Sequence, residues 1–271
     1  MKKSAKVVWS AEDYASNSVV QQTWARELIA ALKLRGDERI LDVGCGDGKV
    51  TAEMARAVPN GSVVGVDASP QMIEFANKTF PASKNANLEF HVMDARKIQF
   101  VRKFDLVFSN AALHWVDDHQ AFLRGAASVL RTGGRLMTSC GGKGNAQDVF
   151  LAVRPEMRLK RWREFFRKME APYFFHSPEE YKKWLPRFGF ETRKVQLAPK
   201  DAPYPGPDGF AAWLRTTWLP YTQRVPEQMR EEFINSIVQR YVARHPMDAK
   251  GLVYVRMIRL EIDAMKLEEK K

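Results

Sequence analysis

Three glycines alternate with Cys45 and Asp47 directly after a short apolar segment, in the stretch RILDVGCGDGKVTAEMA. RILDV has the composition of a buried strand, and KVTAEMARAV has apolar residues at helical spacing. A bare turn between such elements exposes backbone N–H groups at the carboxyl edge of a parallel sheet, where open α/β sheets bind ligands. The stretch therefore predicts a ligand site, the alternative being a tight turn whose glycines only serve the backbone angles.

An acidic residue, Asp67, ends the next apolar run, about twenty residues after the glycines. In nucleotide-binding βαβ units an acid at this place binds the ribose, so the pairing favours a nucleoside cofactor. The dinucleotide pattern would need a third glycine where this chain has Lys49, and the pattern G-x-x-x-x-G-K-[ST] does not occur in the chain. The spacing therefore supports neither the dinucleotide-binding motif nor the phosphate-binding loop of nucleoside triphosphatases.

The elements that must position these residues alternate through the first half of the chain. Amphipathic segments separate five β-rich runs. These runs are RILDV, SVVGVD, LEFHVMD, FDLVFSN and RLMTSC. This alternation is typical of βαβ units around a parallel sheet that is covered on both faces. Before it, SNSVVQQTWARELIAALKL predicts an N-terminal helix that packs onto the sheet.

After Cys140 the pattern changes to a glycine-rich loop and a basic, aromatic helical segment, RPEMRLKRWREFF. Ser177 with Glu180 predicts the capped start of a further helix, and FETRKVQLA then alternates like a strand. A loop with three prolines follows, Pro203, Pro205 and Pro207. Two more helices are predicted, approximately over 208–217 and 226–245, before a last strand in GLVYVRMIRLEID.

The bulk composition is that of one folded globular domain. The chain has 271 residues, of which 45% are hydrophobic and 28% charged, enough to build a single core. We expect one domain over 1–271, made of an N-terminal helical cap (1–35), a cofactor-binding core (36–140), a helical lid (141–188) and final strands with inserted helices (189–271).

The net charge of +11 favours anionic partners without choosing among them. The two cysteines, Cys45 and Cys140, lack the paired spacing of a zinc site, so neither a metal nor a disulfide framework is expected. No apolar run approaches the roughly 20 residues that span a bilayer. The basic start has no apolar segment of a secretory signal behind it, so a cytoplasmic protein is expected.

The motifs, taken in order, resemble those of the class I S-adenosylmethionine-dependent methyltransferases. DVGCGDG is similar to the first motif of that family, in which the turn accommodates the methionine part of the cofactor. Asp67 in GVDASPQMI matches the ribose acid, and Asp94 with Ala95 in VMDARK match the positions that meet adenine. FDLVFSNAALHWV is similar to the motif after the fourth strand, and LRTGGRLM to the turn into the fifth.

The resemblance implies a Rossmann-like α/β fold with a seven-stranded, mostly parallel sheet, an antiparallel last strand and helical lid insertions. It also implies S-adenosylmethionine as cofactor and no metal. The cofactor-binding residues that it implies are Tyr14, Asp42, Gly44, Gly46, Asp67, Ala68, Met72, Asp94, Ala95 and Asn110. Singly, Asp67 and Asp94 could cap the following segments and Met72 could fill the core, but the ordered set favours the cofactor.

Within the class, the chain most resembles the small-acid carboxyl methyltransferases, chiefly the juvenile hormone acid and trans-aconitate families. YASNSVVQQTWA is similar to the N-terminal helix of the former, in which a glutamine matching Gln21 and an aromatic matching Trp115 hold the substrate carboxylate; Gln22 is an adjacent alternative. NAALHWVDDH and WLRTTWLP are similar to segments of the latter. A carboxylate is ionised near neutral pH and needs no general base. His114 either orients the substrate or is a structural histidine.

The basic segment departs from both families. Together with the two residues that follow it, it carries seven cationic residues, Arg154, Arg158, Lys160, Arg161, Arg163, Arg167 and Lys168. They form either a solvated helix face or the mouth of a pocket for an anionic substrate. That substrate would be a small polycarboxylate or an acyl group on an acidic carrier protein, as in the similar malonyl carrier-protein methyltransferases. Trp162, Phe165 and Phe166 between the charges could instead stack bases.

Three alternatives to carboxyl methylation remain open at this point. Methylation of an amine or hydroxyl would need a base such as His114 or His119. An RNA-binding protein or RNA methyltransferase would use the basic aromatic segment, but SNAALHW has neither an NPPY-like nor a cysteine motif, so nucleic acid is not the expected partner. The third is an interaction protein that binds the cofactor without catalysis.

Overall fold

Seven strands form one sheet in the order β3-β2-β1-β4-β5-β7-β6 in the computed structural model, which describes residues 19–268 and the side chains of 22–268. Their bounds are β1 Arg39–Val43, β2 Ser62–Asp67, β3 Leu88–Val92, β4 Phe104–Asn110, β5 Leu130–Gly141, β6 Phe190–Pro205 and β7 Leu252–Lys266. The pairs among β1 to β5 are parallel, and β7 is antiparallel to β5. The predicted sheet with its antiparallel last strand is confirmed.

The helices are α1 Val19–Leu32, α2 Lys49–Ala57, α3 Pro70–Thr79, α4 His119–Val129, α5 Gln147–Arg158, α6 Pro178–Arg187, α7 Gly206–Thr217, α8 Leu219–Thr222 and α9 Glu227–Val242. The predicted capping box of Ser177 and Glu180 is present at the start of α6. Across residues 19–268, every helix is too short or too polar to cross a membrane.

The described chain divides into two compact units. The sheet unit contains residues 19–143, 173–198 and 259–268, and the helical unit contains 144–172 and 199–258. The boundary falls within β6 and β7.

Both faces of the sheet unit are apolar. Along β1, Ile40 belongs to one buried cluster and Leu41 to another, and Val63 and Val64 of β2 divide in the same way. Because successive side chains of a strand point to opposite faces, near-continuous apolar strands need a layer on each side. Leu32 at the end of α1 lies in the first cluster, which confirms that the N-terminal helix packs onto the sheet.

The predicted proline loop is wrong in part, because β6 continues through Pro203 to Pro205 before α7 begins at Gly206. Proline removes a backbone donor and is tolerated in a strand at the edge of a sheet. β6 is an edge strand. The sequence pattern showed the prolines but not the place of this strand in the sheet.

Two aromatic residues of the basic segment lie in the core of the helical unit. Trp162 is fully buried and Phe166 is 8% exposed. Both rings have their centroids 5.3 Å from the ring centroid of Phe233 in α9. The hypothesis that these two rings stack bases is therefore wrong, since a stacking platform has to be exposed.

Acidic residues of the helical unit neutralise part of the basic segment. Glu156, 3% exposed, lies 3.8 Å from Arg161. Arg161 donates to Glu232 at 2.6 Å, and Arg163 and Arg167 lie 3.8 and 3.5 Å from Glu164. Charge density along the sequence therefore overstates the anion-attracting charge of this segment.

Candidate active site

The turn from β1 to α2 contains three glycines with left-handed backbone. Gly44, Gly46 and Gly48 have φ of +77°, +54° and +80°, a region that residues with a Cβ rarely adopt. The N–H of Gly44 donates to the carbonyl of Val66 at 2.7 Å, which ties the turn to β2. A Cβ at position 44 would lie 2.1 Å from the Cβ of Ala112, so the loop after β4 also approaches this turn closely.

Asp67 ends β2 beside the glycine turn. Its Oδ2 accepts a hydrogen bond from the N–H of Gly46 at 3.1 Å, and its Oδ1 accepts one from the N–H of Ser69 at 2.8 Å. Burial raises the pKa of Asp67, and these backbone hydrogen bonds oppose that rise. Each carboxylate oxygen keeps acceptor capacity for a further donor. A fixed acceptor pair beside a bare backbone turn fits a nucleoside with its ribose hydroxyls.

Three other predicted cofactor residues lie around this edge. Asp42 is buried in β1 and accepts a hydrogen bond from the hydroxyl of Thr51 in α2 at 2.7 Å; burial raises the pKa of Asp42 to about 7. Ala68 is exposed next to Asp67. Met72 is 4% exposed in α3, and its role in cofactor binding stays a prediction.

The predicted adenine residues lie next to the ribose acid. The N–H of Met93 donates to the Asp67 carbonyl at 2.9 Å, which places Asp94 and Ala95 beside the end of β2. Asp94 caps a short 3-10 helix, Ala95–Lys97. The guanidinium of Arg96 lowers the pKa of Asp94.

Two predicted site residues near the N-terminus lie wholly or partly outside the described residues. Tyr14 lies outside the described residues. Gln21 belongs to α1, but its side chain lies outside the described part of the chain, whereas Gln22 is partly buried. The choice between Gln21 and Gln22 therefore stays a prediction.

An aromatic cluster forms where the chain leaves β4. The rings of Trp115 and Tyr173 have centroids 4.8 Å apart, and Tyr173 stacks on Phe175 at 5.5 Å. His114 lies 5.4 Å from the Trp115 ring. The N–H of Phe174 donates to the His114 carbonyl at 2.9 Å, fixing the two segments together. We call His114, Trp115, Tyr173 and Phe175 the aromatic cluster.

Tyr173 and Phe175 were missed by the sequence reasoning. The only signal was the aromatic run APYFFH just before the Ser177 cap. The run pairs with LHWV across about sixty residues of sequence, a contact that no local pattern predicts.

His114 is a neutral hydrogen-bond donor in this arrangement. Its Nδ1 accepts a hydrogen bond from the N–H of Gly141 at 3.3 Å, so the neutral ring carries its proton on Nε2, a tautomer assigned from this bond. Burial first, and then the charge of Arg259, lower the pKa of His114 to about 3. His114 can donate from Nε2, but that nitrogen has no lone pair with which to act as a base.

His119 is fully occupied by structural hydrogen bonds. Its Nε2 lies 2.8 Å from the Leu113 carbonyl, which can only accept, so Nε2 carries the proton. Its Nδ1 then accepts from the Tyr181 hydroxyl at 2.6 Å. Burial, followed by the charge of His176, lowers the pKa of His119 to about 4.

The buried His119 should make the free energy of unfolding depend on pH. Its pKa is about 4 in the folded state and about 6.5 in the unfolded state. Between these values the unfolded state binds more protons at this histidine. The contribution of His119 to the free energy of unfolding is therefore full above about pH 6.5 and is lost as the pH decreases toward 4. Over that window the loss is on the order of 3 kcal/mol.

Urea unfolding at a series of pH values measures this dependence. His119→Gln should be less stable near neutral pH but should lose less stability on acidification than the wild type. His91→Gln, which replaces an exposed histidine, is the control for the loss of an imidazole from the surface. Equal slopes for wild type and His119→Gln would contradict the assignment.

Asn110, the last predicted cofactor residue, ends β4, and its Oδ1 accepts a hydrogen bond from Nη2 of Arg259 at 2.9 Å. Arg259 is 4% exposed and was missed by the sequence reasoning, which treated RMIRLEID only as a strand. A basic residue among apolar neighbours in that strand was the available signal.

The chain matches known proteins over this region and beyond it. A model of the family described as "Methyltransferase domain" matches residues 40–134. An uncharacterized methyltransferase of Schizosaccharomyces pombe is 31% identical over 197 residues, covering 69% of this chain and 72% of that protein. A trans-aconitate 2-methyltransferase of Escherichia coli is 27% identical over 272 residues, covering 96% of this chain and 99% of that protein.

Solved structures share the fold. The YcgJ protein of Bacillus subtilis has a TM-score of 0.60 at 18% identity, covering 90% of this chain and 98% of that one. The magnesium protoporphyrin IX methyltransferase of Synechocystis, solved with bound S-adenosylhomocysteine, has a TM-score of 0.53 at 15% identity, covering 97% and 90%. Together with the glycine turn and the sheet order, these matches identify the chain as a member of the class I S-adenosylmethionine-dependent methyltransferases.

Proposed function

We propose that this methyltransferase transfers the methyl group to a carboxylate of a small organic acid. The observation that carries the proposal is the hydrogen bonding of the two candidate bases: His114 accepts at Nδ1, and both ring nitrogens of His119 are used within the fold. An amine or hydroxyl acceptor would need a base beside it. A carboxylate is already ionised near neutral pH and needs none.

The glycine turn and Asp67 would hold the cofactor in this proposal. S-adenosylmethionine, when bound, supplies a methyl group to an attacking oxygen, and its sulfur keeps the electron pair of the broken bond. The indole N–H of Trp115 and the amide of Gln21 would donate to one carboxylate oxygen of the acceptor and leave the other free to attack. Placing the acceptor in line with the methyl group is the main contribution of the protein to the rate.

The relatives support an acid of low molecular weight. The match to trans-aconitate 2-methyltransferases spans almost the whole length of both chains, and their name gives a tricarboxylic acid as substrate. An acyl group on an acidic carrier protein remains the alternative partner. Arg161 pairs with Glu232, and Arg163 and Arg167 share Glu164. These ion pairs weaken the argument for a large acidic partner.

A panel of acceptors tests the proposal. Transfer of a radiolabelled methyl group would be measured with di- and tricarboxylates including trans-aconitate, fatty acids, an acylated carrier protein, amines and phenols. We expect at least one carboxylic acid to be methylated to a base-labile ester. Methylation of an amine or phenol with no turnover of any acid would overturn the proposal, and so would salt-sensitive RNA binding with no acid methylated.

Removing a donor to the carboxylate should slow methylation without weakening cofactor binding. Trp115→Phe retains a ring and removes the N–H, and Gln21→Ala removes the amide. Each should lower kcat/KM for the acid about 10- to 100-fold, the scale of a hydrogen bond to a charged group. Calorimetry should find unchanged affinity for S-adenosylhomocysteine. Gln22→Ala is the matched control, and a larger loss in it than in Gln21→Ala would reverse the assignment of the two glutamines.

A further inference from the structure

Arg259 connects the carboxyl ends of two neighbouring parallel strands. Its Nε donates to the hydroxyl of Ser139 at 3.1 Å, and its Nη2 donates to the Ser139 carbonyl at 2.8 Å and to Oδ1 of Asn110 at 2.9 Å. Asn110 of β4 and Ser139 of β5 are partners in the sheet register. One planar guanidinium therefore fixes both strand ends, a geometry that a lysine ammonium cannot reproduce.

The turn that Arg259 supports leads directly to the aromatic cluster. Ala111, which follows Asn110, has φ of +56°, in the left-handed region that a non-glycine residue rarely adopts. Its N–H donates to the same Ser139 carbonyl at 2.8 Å. Strained backbone persists where its surroundings hold it, and here Arg259 bonds both Asn110, which precedes the turn, and the Ser139 carbonyl to which Ala111 donates. His114 and Trp115 follow within the next four residues.

Arg259 also contacts α1. Its guanidinium carbon lies 5.1 Å from the centroid of the Trp24 ring, within the range of a cation–π interaction. Trp24 follows Gln21 by three residues, about one turn of α1. The same side chain is therefore attached to the helix of Gln21 and to the turn before Trp115, the two elements that carry the proposed carboxylate donors.

The positive charge of Arg259 affects the proposed acceptor site next to His114 and Trp115. Arginine stays protonated in proteins, and a buried cation is costly for the fold unless its surroundings compensate. Arg259 is the sheet partner of Gly141, whose N–H donates to His114. Burial is the main cause of the lowered pKa of His114, and the positive charge of Arg259 adds to it. A cation at this place favours an anionic acceptor over a protonated amine.

We propose that Arg259 is a positioning residue of the acceptor site, which aligns α1 with the turn before Trp115 and whose buried charge selects an anionic methyl acceptor. The selection of an anion rests on the proposed carboxyl methylation. The alignment does not, because it follows from contacts within the sheet unit.

Two variants and a control test the proposal. Arg259→Gln removes the charge and the planar guanidinium with its N–H donors. Arg259→Lys keeps the charge but not the guanidinium. Arg131→Gln is the control, because it removes one positive charge from an exposed residue that pairs with Asp105 at the opposite ends of β4 and β5. The first measurement is the ¹⁵N NMR titration of His114, which requires no acceptor. We expect its pKa to rise in Arg259→Gln and to stay near the wild-type value in the other two variants.

The second measurement compares a charged probe with a neutral one. Calorimetry would titrate trans-aconitate and its trimethyl ester into protein saturated with S-adenosylhomocysteine. Arg259→Gln should weaken binding of the acid about 10- to 100-fold and change binding of the ester much less, and Arg259→Lys should recover part of the preference.

Each failure has a separate meaning. An unchanged pKa of His114 in Arg259→Gln, or equal losses for acid and ester, would overturn the inference about Arg259. A wild-type protein that methylates no acid in the acceptor panel would instead remove the proposed function, while the His114 titration would still decide whether the charge of Arg259 reaches the acceptor side.

Discussion

Asp67→Ala is expected to abolish measurable binding of S-adenosylmethionine. The carboxylate of Asp67 is held by the N–H groups of Gly46 and Ser69, one on each oxygen, and would accept the two ribose hydroxyls of the cofactor. A hydrogen bond to a charged group contributes about 1.5–3 kcal/mol, so losing two corresponds to a roughly 100- to 10,000-fold weaker affinity. Calorimetric titration with S-adenosylmethionine and S-adenosylhomocysteine measures the loss.

Asp67→Asn should also fail, although it keeps the size of the side chain. Both oxygens of Asp67 face backbone N–H donors, so an amide would place its own NH₂ group against one of them. Asp37→Asn, at an exposed ion pair with Arg35, is the control and should bind as the wild type does. Circular dichroism would show that each variant is folded. Wild-type affinity in folded Asp67→Ala would place the ribose elsewhere.

Gly44→Ala is expected to destabilise the protein and to prevent cofactor binding. The residue has φ of +77°, and an added Cβ would lie 2.1 Å from the Cβ of Ala112. Backbone strain costs about 1–3 kcal/mol and overpacking costs about as much again. Together they predict a loss of roughly 2–6 kcal/mol in the free energy of unfolding, measured with urea.

Two further variants separate the clash from the strain. Ala112→Gly removes the atom that the new Cβ would meet, so the double variant Gly44→Ala/Ala112→Gly should recover about 1–3 kcal/mol relative to additivity. Gly133→Ala has a similar φ of +72° with no atom within 4 Å of its added Cβ, and should show the strain alone. If the two changes simply add, the close approach of the β4 loop does not explain the effect.

The parts of the fold that were predicted correctly are those that a local pattern specifies. The strands of the first half and the Ser177 cap follow from periodicity and capping chemistry within a few residues. The glycine turn was predicted because its positive φ values require residues without a Cβ. The prolines of β6 were misread as a loop, because their tolerance depends on the edge position of the strand.

The sequence by itself determined the chemistry on the cofactor side: a bare turn, an acid at the end of β2 and the ordered motifs that follow them. These residues lie at fixed offsets from strand ends, and parallel strands bring their carboxyl ends to one edge without further information.

Only the tertiary structure brought together the residues of the proposed acceptor site. The contacts of Tyr173 with Trp115, of Arg259 with Asn110 and Trp24, and of Gly141 with His114 join residues far apart in the chain. Tautomer, burial and charge at those positions come from such contacts. They changed His114 from a candidate base into a neutral donor, and revealed Arg259 where the sequence showed only a strand.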